Sequence, residues 1–318
     1  MTLIFSLVTD PFVVQVSDRR LTFPDGTLFE DEENKCIFYR FQGAVAYTGL
    51  ARLGFEPTAD WALLPLAQDG RIAWALGSLK SEASAKFRSL RPPPAVTPSD
   101  WRKIKRTTFV CAGYQRLGNP GQFGLRQTPD GLYPFCDKVT NTEQPPGGAW
   151  SAEASDDFYD ILYWLQDFQD VGFGFLTWSG ADLRDYEKKR VMRLAKKCLL
   201  RTREPEPVAR VLARQIREVH ERQKRERAAV TVGRSVMCAI LRRPDMSVPG
   251  PVRITSNQIP LDTAGMSEND FEAAIFRRME GDTPQRFIYY PGDPTQRTYY
   301  QPNSVTDWGV MKGGVMTW

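Results

Sequence analysis

Histidine is nearly absent from this sequence, because His220 is the single histidine among 318 residues. A Ser-His-Asp or Cys-His mechanism would depend on that one residue, and ordinary zinc sites combine several histidine and cysteine ligands. His220 is followed by Glu221 and Arg222 in a charged helical stretch, which predicts a solvated side chain. We therefore expect neither a histidine-activated nucleophile nor a metal centre, and no pattern indicates a cofactor.

Cysteine is also scarce. The five cysteines are widely spaced, odd in number and without a C-x-x-C pair; they are Cys36, Cys111, Cys136, Cys198 and Cys238. Such a set fits buried free thiols in a reducing compartment better than a disulfide framework or a zinc site.

Long apolar runs are missing as well. No stretch approaches the roughly 20 apolar residues that span a bilayer. The apolar opening over residues 1–16 lacks a basic region and is interrupted by Asp10 and Pro11, unlike a signal peptide. We expect a soluble cytoplasmic protein with no membrane partner.

Positive charge is concentrated in one region. Between Arg184 and Arg227 there are 16 Lys/Arg against 7 Asp/Glu, a local net charge of +9, which leaves about −5 elsewhere because the whole chain carries +4. Apolar residues at helical spacing place these cations on outer helix faces. A solvated face is the plainest interpretation and a subunit interface the next. Nucleic-acid binding comes last, because no aromatic interleaving accompanies the charge.

The pattern along the chain alternates between β-rich and helical segments. Strands are predicted over residues 3–8, 12–17, 36–41, 43–48, 107–114, 122–127, 173–178 and 230–241. Helices are predicted over residues 58–68, 72–90, 152–168, 182–200, 208–228 and 268–279. Two sheets packed face to face with helix pairs outside would bury these elements in four layers, although this order alone leaves other α+β folds open.

The start of the chain offers a nucleophile. Initiator methionine is normally removed before a small residue, so Met1-Thr2 would leave Thr2 with a free α-amine and a hydroxyl. An α-amine has a pKa of roughly 7.7–8.0, and when neutral it can act as the general base for the neighbouring hydroxyl. The alternative is that Thr2 is an ordinary strand residue.

Three later residues could support such a nucleophile. Asp18 ends the second predicted strand and Lys35 begins the third, so adjacent strands of one sheet could bring both beneath Thr2. The Lys35 charge would favour the neutral amine and the deprotonated hydroxyl, with Asp18 holding Lys35 in place. Gly49 follows the next strand and could offer its N–H to an oxyanion. A purely structural Asp18–Lys35 ion pair is the alternative.

The first 51 residues resemble the catalytic core of proteasome β subunits and their bacterial relatives, which are N-terminal-nucleophile hydrolases. The family has an N-terminal Thr, an Asp-x-Arg, a Lys and a Gly in this order, matched here by Thr2, Asp18 with Arg20, Lys35 and Gly49. Weaker similarities lie at residues 109–114, 178–181 and 231–233, so the resemblance covers roughly residues 2–241.

The resemblance implies further roles and a fold. The fold would be a four-layer αββα sandwich of two mostly antiparallel sheets flanked by helix pairs. Thr22 and Ala51 match backbone that pairs with a bound peptide, and Tyr47 matches a position that shapes the substrate pocket. Ser179 matches a catalytic serine, although a helix N-cap is the commoner role for such a residue.

The chain also departs from the family pattern. Active relatives carry an Asp and, three residues later, a Ser in the late helix, where this chain has Ala228 and Thr231, with Glu226 as an approximate substitute. Residues 138–172 are predicted to be an insertion in a domain of residues 1–241. Residues 242–318 are predicted to form an extension that packs on the domain or on a neighbouring subunit.

These patterns predict an N-terminal threonine hydrolase that acts on peptide or other amide bonds without a cofactor. Because the family self-associates, a homo-oligomer is expected. Two alternatives stay open: a catalytically inactive scaffold or assembly protein of the same fold, and a protein that binds nucleic acid through its basic surface.

Overall fold

A computed structural model describes most of the chain. The described residues are 2–22, 28–30, 33, 35–39, 43–54, 56–69, 71–94, 96–142, 154–166, 174–202, 204–226 and 229–243. Five short strands follow between residues 285 and 316.

Two large sheets form the centre of the described structure. The first contains, in spatial order, β12 (Gly174–Gly180), β1 (Leu3–Thr9), β2 (Phe12–Asp18), β13 (Val236–Arg242), β14 (Gln285–Tyr290), β15 (Thr298–Tyr300) and β18 (Val315–Met316). The second contains β11 (Ala154–Trp164), β10 (Leu132–Thr142), β9 (Thr108–Arg116), β6 (Gly43–Thr48), β5 (Cys36–Tyr39), β16 (Asn303–Thr306) and β17 (Gly309–Met311). Two small ribbons pair β3 (Leu21–Thr22) with β4 (Leu28–Glu30), and β7 (Arg52–Leu53) with β8 (Glu56–Pro57).

Helices cover the outer faces of both sheets. They are α1 (Thr58–Ala67), α2 (Ile72–Ser89), α3 (Pro98–Ile104), α4 (Asp185–Arg201) and α5 (Pro205–Arg225), and a 3-10 turn spans Pro120–Phe123. One buried cluster joins α4 and α5 to the first sheet, another joins α1 and α2 to the second, and a third lies between the sheets. The predicted four-layer αββα sandwich of mostly antiparallel sheets is confirmed.

The first two strands show why the sequence forms this sandwich. Every residue of β1 and β2 is buried, because one face of the sheet meets helices and the other meets the second sheet. Leu3 and Phe5 pack against the helix side, whereas Ile4 packs between the sheets. This alternation follows the two-residue period of a strand, so a nearly continuous apolar run is needed.

Most predicted elements are confirmed with shifted ends, but the helix predicted over residues 152–168 is wrong. Its described part forms β11, which pairs with β10. Phe158, Ile161 and Leu165 recur at helical spacing, a pattern that is typical of an amphipathic helix. In the fold, the Phe158 ring packs edge-on against Phe87 with centroids 4.9 Å apart. Sheet pairing and burial under α2 therefore override the local pattern.

The strand predicted over residues 122–127 is also wrong. The chain makes the 3-10 turn there and then a left-handed residue at Gly124, with φ +71°. The strand that follows β9 and pairs with it is β10, which begins after a second turn at Gly131, where φ is +68°. Sequence reasoning placed the reversal one turn too early, because Asn119-Pro120-Gly121 is itself a strong turn signal.

The predicted insertion and the predicted C-terminal extension both contribute strands to the two sheets. The predicted insertion over residues 138–172 contains β11 and part of β10, and the predicted extension adds β14 beside β13 and β16 beside β5. The helix predicted over residues 268–279 lies outside the described residues. The domain boundary at residue 241 stays a prediction.

Candidate functional site

Thr2 directly precedes β1 and is 4% exposed. Its carbonyl oxygen accepts hydrogen bonds from the Ala181 amide at 2.9 Å and from Thr48 Oγ1 at 3.2 Å. The next amide, that of Leu3, donates to Asp18 Oδ2 at 2.5 Å. The backbone around Thr2 is thus fixed by contacts from β2, from the end of β6 and from the segment after β12.

Lys35 provides the main contact to the Thr2 side chain. It precedes β5, is fully buried, and its Nζ lies 2.5 Å from Thr2 Oγ1. The same ammonium donates to the Arg20 carbonyl and lies 3.5 Å from Asp18 Oδ1. A buried charge at this distance would stabilise negative charge developing on the threonine oxygen.

The surroundings of Lys35 change its acidity. Burial lowers the pKa of the Lys35 ammonium, and the Asp18 carboxylate and then Glu33 raise it part of the way back. The nearby Arg19 charge lowers it a little more. Desolvation disfavours the charged form of a lysine, so Lys35 gives up its proton more readily than a surface lysine does.

Asp18 holds this arrangement together. Its Oδ1 accepts the Arg20 amide at 2.9 Å and the Gly233 amide at 3.1 Å, and its Oδ2 accepts the Leu3 amide. A carboxylate is acceptor-only when ionised, and several amide donors satisfy it in a fully buried position. The predicted Asp18–Lys35 pair forms beneath Thr2. The expectation that adjacent strands of one sheet bring the two residues together is wrong, because Asp18 ends β2 of the first sheet and Lys35 precedes β5 of the second.

Two glycines border the site at places where a side chain has no room. Gly180 has φ +98°, and a Cβ there would lie 1.7 Å from the Thr2 carbonyl oxygen. Gly49 has φ +114°, and a Cβ there would lie 2.0 Å from the Arg106 carbonyl oxygen. Gly49 directly follows Thr48, which contacts Thr2. The oxyanion role of the Gly49 amide stays a prediction.

Arg20 and Ser179 lie next to the site in different ways. The Arg20 guanidinium donates to the Val230 carbonyl at 3.2 Å, and its own carbonyl accepts from Lys35. Ser179 pairs with Ile4 across β1 and β12, and no hydrogen bond joins it to Thr2 among the described residues. The helix N-cap interpretation of Ser179 is wrong, because α4 begins at Asp185.

The three predicted substrate-binding residues lie on different parts of the fold. Thr22 lies in the short ribbon opposite Leu28. The Ala51 carbonyl accepts the Thr58 amide at 2.8 Å. The Tyr47 ring is 1% exposed and packs toward Phe109 in the core beneath α1 and α2. Contact of these residues with a substrate stays a prediction.

The late part of the site differs from the sequence interpretation. Glu226 pairs with Arg184 at 2.7 Å and with Arg222 at 3.4 Å, on the surface of α4 and α5. Thr231 is bound to Gln223 rather than to Thr2. Ala228 lies outside the described residues. No late carboxylate therefore reaches Thr2 in the described part of this segment.

The prediction that His220 is solvated is wrong. His220 is 8% exposed, and its Nδ1 lies 2.8 Å from the Val232 carbonyl. A carbonyl only accepts, so this nitrogen is the donor. The charged neighbours misled the sequence interpretation, because His220 lies one helical turn after Ile216 on the buried stripe of α5.

Sequence reasoning also missed Thr48, Ala181, Gly233 and Gln223. A signal was available for Gly233, because an isolated glycine inside a predicted strand, here residues 230–241, marks a bulge or a close backbone approach. Nothing in the sequence alone marks Gln223, whose partners lie eight and nine residues further along the chain. Among the described residues, no group of three or more His, Cys, Asp or Glu could hold a metal ion, and no helix is long and apolar enough to cross a membrane.

No protein-family profile and no curated protein matches the sequence. Among solved structures, the chain is similar to the Gly-1 mutant of Anbu from Hyphomicrobium sp. strain MC1. The match has 12% sequence identity and a TM-score of 0.43, and it covers 76% of this chain and 83% of that chain. The relationship is distant, and the function of this chain has to be inferred from its own residues.

Proposed function

We propose that this chain is an N-terminal threonine hydrolase that cleaves peptide or other amide bonds once removal of Met1 exposes Thr2. The observation that supports it is the fully buried Lys35 Nζ at 2.5 Å from Thr2 Oγ1, with Asp18 beneath it. Removing an ammonium from water is costly even when it is paired, so its placement against the Thr2 hydroxyl favours a chemical role.

The proposed reaction uses the α-amine of Thr2 as the general base. The amine takes the proton of Oγ1, which attacks the substrate carbonyl, and the Gly49 amide donates to the resulting oxyanion. The proton then passes to the leaving amine as the C–N bond breaks. Water hydrolyses the acyl ester and restores the hydroxyl. Lys35 stabilises negative charge on Oγ1, and Asp18 fixes Lys35 in position.

A catalytically inactive scaffold of the same fold is the second candidate. It is favoured by the position of Glu226, whose carboxylate pairs with Arg184 and Arg222 instead of contacting Thr2. The two candidates predict different behaviour of Thr2, because a scaffold needs neither a free α-amine nor a reactive hydroxyl.

Mass spectrometry of the N-terminal peptide and of its adducts tests the proposal. A peptide epoxyketone, which can react with a hydroxyl and an amine on one residue, should label Thr2, and Thr2→Ala should abolish the adduct. Lys35→Ala should slow labelling by about 100-fold or more, the effect of removing one electrostatic stabiliser. Lys105→Ala is the matched control, because Lys105 is also nearly buried and ion-paired, but with Asp156.

Three outcomes would contradict the proposal. Labelling at another residue with Thr2 untouched would exclude Thr2 as the nucleophile. A free but unreactive Thr2 would favour the scaffold. Equal rates for Lys35→Ala and Lys105→Ala would remove the proposed role of Lys35.

A further inference from the structure

The segment of residues 230–233, between α5 and β13, reaches the site from behind Asp18. Its Gly233 amide donates to Asp18 Oδ1 at 3.1 Å, and its Val230 carbonyl accepts from the Arg20 guanidinium at 3.2 Å. A Cβ on Gly233 would lie 2.7 Å from Arg20 Cβ. The backbone of this segment is therefore in direct contact with the residues that hold Lys35.

Gln223 of α5 fixes that segment. Its Oε1 accepts the Thr231 and Val232 amides, each at 3.0 Å, and its Nε2 donates to Thr231 Oγ1 at 3.2 Å. His220, one turn earlier, donates to the Val232 carbonyl at 2.8 Å. Gln223 and His220 are each 8% exposed. Gln223 and His220 thus form a clamp that holds residues 231 and 232.

The clamp affects how strongly Asp18 attracts Lys35. Asp18 Oδ1 already accepts hydrogen bonds from two backbone amides. Lys35 Nζ lies 3.5 Å from this oxygen but only 2.5 Å from Thr2 Oγ1. Amide donors stabilise a carboxylate and compete with the ammonium for its lone pairs. Loss of the Gly233 amide would free Oδ1 for a shorter contact with Lys35.

We propose that Gln223 is a positioning residue for the Thr2 site: by holding residues 231 and 232 it keeps the Gly233 amide on Asp18 and leaves the Lys35 ammonium directed at the Thr2 hydroxyl. Its meaning for catalysis rests on the proposed function. Its geometric consequence, a change in the interaction between Asp18 and Lys35, can be measured without any substrate.

The charged groups that act on Lys35 are Asp18 on β2, with Arg19 just after it, and Glu33 on the segment before β5. Of these three charged residues, Asp18 is the one that accepts the hydrogen bond of the Gly233 amide. Removing the clamp therefore strengthens an attraction that already raises the Lys35 pKa, while burial continues to lower it. The Lys35 pKa should move upward, toward that of a free lysine.

The test is an NMR titration of lysine labelled with ¹³C at Cε, with the Lys35 signal assigned by Lys35→Arg. In Gln223→Leu the Lys35 pKa should rise by about one pH unit, which is the size expected for one hydrogen bond to a charged group. Gln215→Leu is the matched control, because Gln215 is a glutamine buried on the same helix and bonded to Glu218.

An unchanged Lys35 pKa in folded Gln223→Leu, or equal shifts in Gln223→Leu and Gln215→Leu, would overturn the proposal. If Gln223→Leu does not fold, hydrogen exchange of the Gly233 amide in the unaltered protein decides the question. Exchange at least about 1,000-fold slower than in an open chain supports the clamp, and exchange near the open-chain rate overturns it.

The two proposals fail separately. No Thr2 adduct, together with the expected pKa changes, would refute the hydrolase and leave the clamp standing. A Thr2 adduct together with an unchanged Lys35 pKa in Gln223→Leu would support the hydrolase and refute the clamp.

Discussion

Replacing Asp137 with asparagine should stabilise the fold by an amount that grows as the pH rises. Asp137 lies in β10, opposite Cys111 and Leu162 of the neighbouring strands. It is 9% exposed, and its Oδ1 has no hydrogen-bond partner within the described structure. Burial, and then the charge of Asp160, raises the pKa of the Asp137 carboxyl to about 7, although Lys80 lowers it somewhat.

The direction of this pH dependence follows from the number of protons that Asp137 binds in the folded and in the unfolded state. Between about pH 4 and pH 7 the folded Asp137 keeps its proton while the unfolded one has lost it, so the free energy of unfolding falls as the pH rises. The difference between the ordinary value of 3.8 and about 7 corresponds to roughly 4 kcal/mol above pH 8. Asparagine does not ionise, and Asp137→Asn should therefore gain up to that amount at high pH and little near pH 4.

Urea unfolding of both proteins at intervals from pH 4 to pH 9 measures this difference. Asp157→Asn is the control, because Asp157 lies in β11, is 62% exposed, and forms a surface ion pair with Arg88. Surface pairs contribute at most about 1 kcal/mol, so this variant should differ little from the wild type at any pH. A stability gain in Asp137→Asn that stays constant with pH would refute the reasoning, since it would show that Asp137 has an ordinary pKa.

Two further predictions concern the backbone and the assembly. Gly180→Ala should lower the free energy of unfolding by roughly 3 kcal/mol or more, because a Cβ meets the Thr2 carbonyl at 1.7 Å with φ at +98°. Gly77→Ala, in a helix with nothing within 4 Å, should raise it by about 0.5–1 kcal/mol; equal effects in thermal unfolding would contradict this account. If the basic faces of α4 and α5 meet acidic surfaces of a second copy, light scattering should show a homo-oligomer that dissociates as salt rises. A monomer near 36.1 kDa at both low and high salt would exclude that assembly.

The fold could be predicted well where one pattern dominates. The strands beside Asp10 and Pro11 and the amphipathic helices α4 and α5 follow directly from apolar spacing. The strand β11 could not be predicted, because an edge strand whose acidic residues face solvent has the same composition as an amphipathic helix. Asp156, for example, pairs with Lys105 from another element, which no local pattern shows.

The candidate site divides in a similar way. Thr2 and Asp18 could be predicted to lie together, because they are at the ends of the paired strands β1 and β2. Lys35 precedes β5 of the other sheet, so its approach to Thr2 depends on how the two sheets pack, which strand order in the sequence does not show. The contacts of Gln223 and His220 could not be predicted, because they depend on which face of the last two turns of α5 lies against residues 231–233. Thr48 is the last residue of a predicted strand, and nothing in the sequence indicates that its hydroxyl reaches the Thr2 carbonyl.

The hydrogen bond from Gly233 to Asp18 joins residues 215 positions apart. During synthesis, Thr2, Asp18 and Lys35 are made first, and at ribosomal speeds of about 5–20 residues per second the Gly233 amide follows roughly 10 to 40 s after Asp18. β13, which pairs with β2 directly after Gly233, is made later still. A nascent chain therefore carries the residues of the proposed site long before it has their geometry, and the first residues translated are among the last to reach their final surroundings.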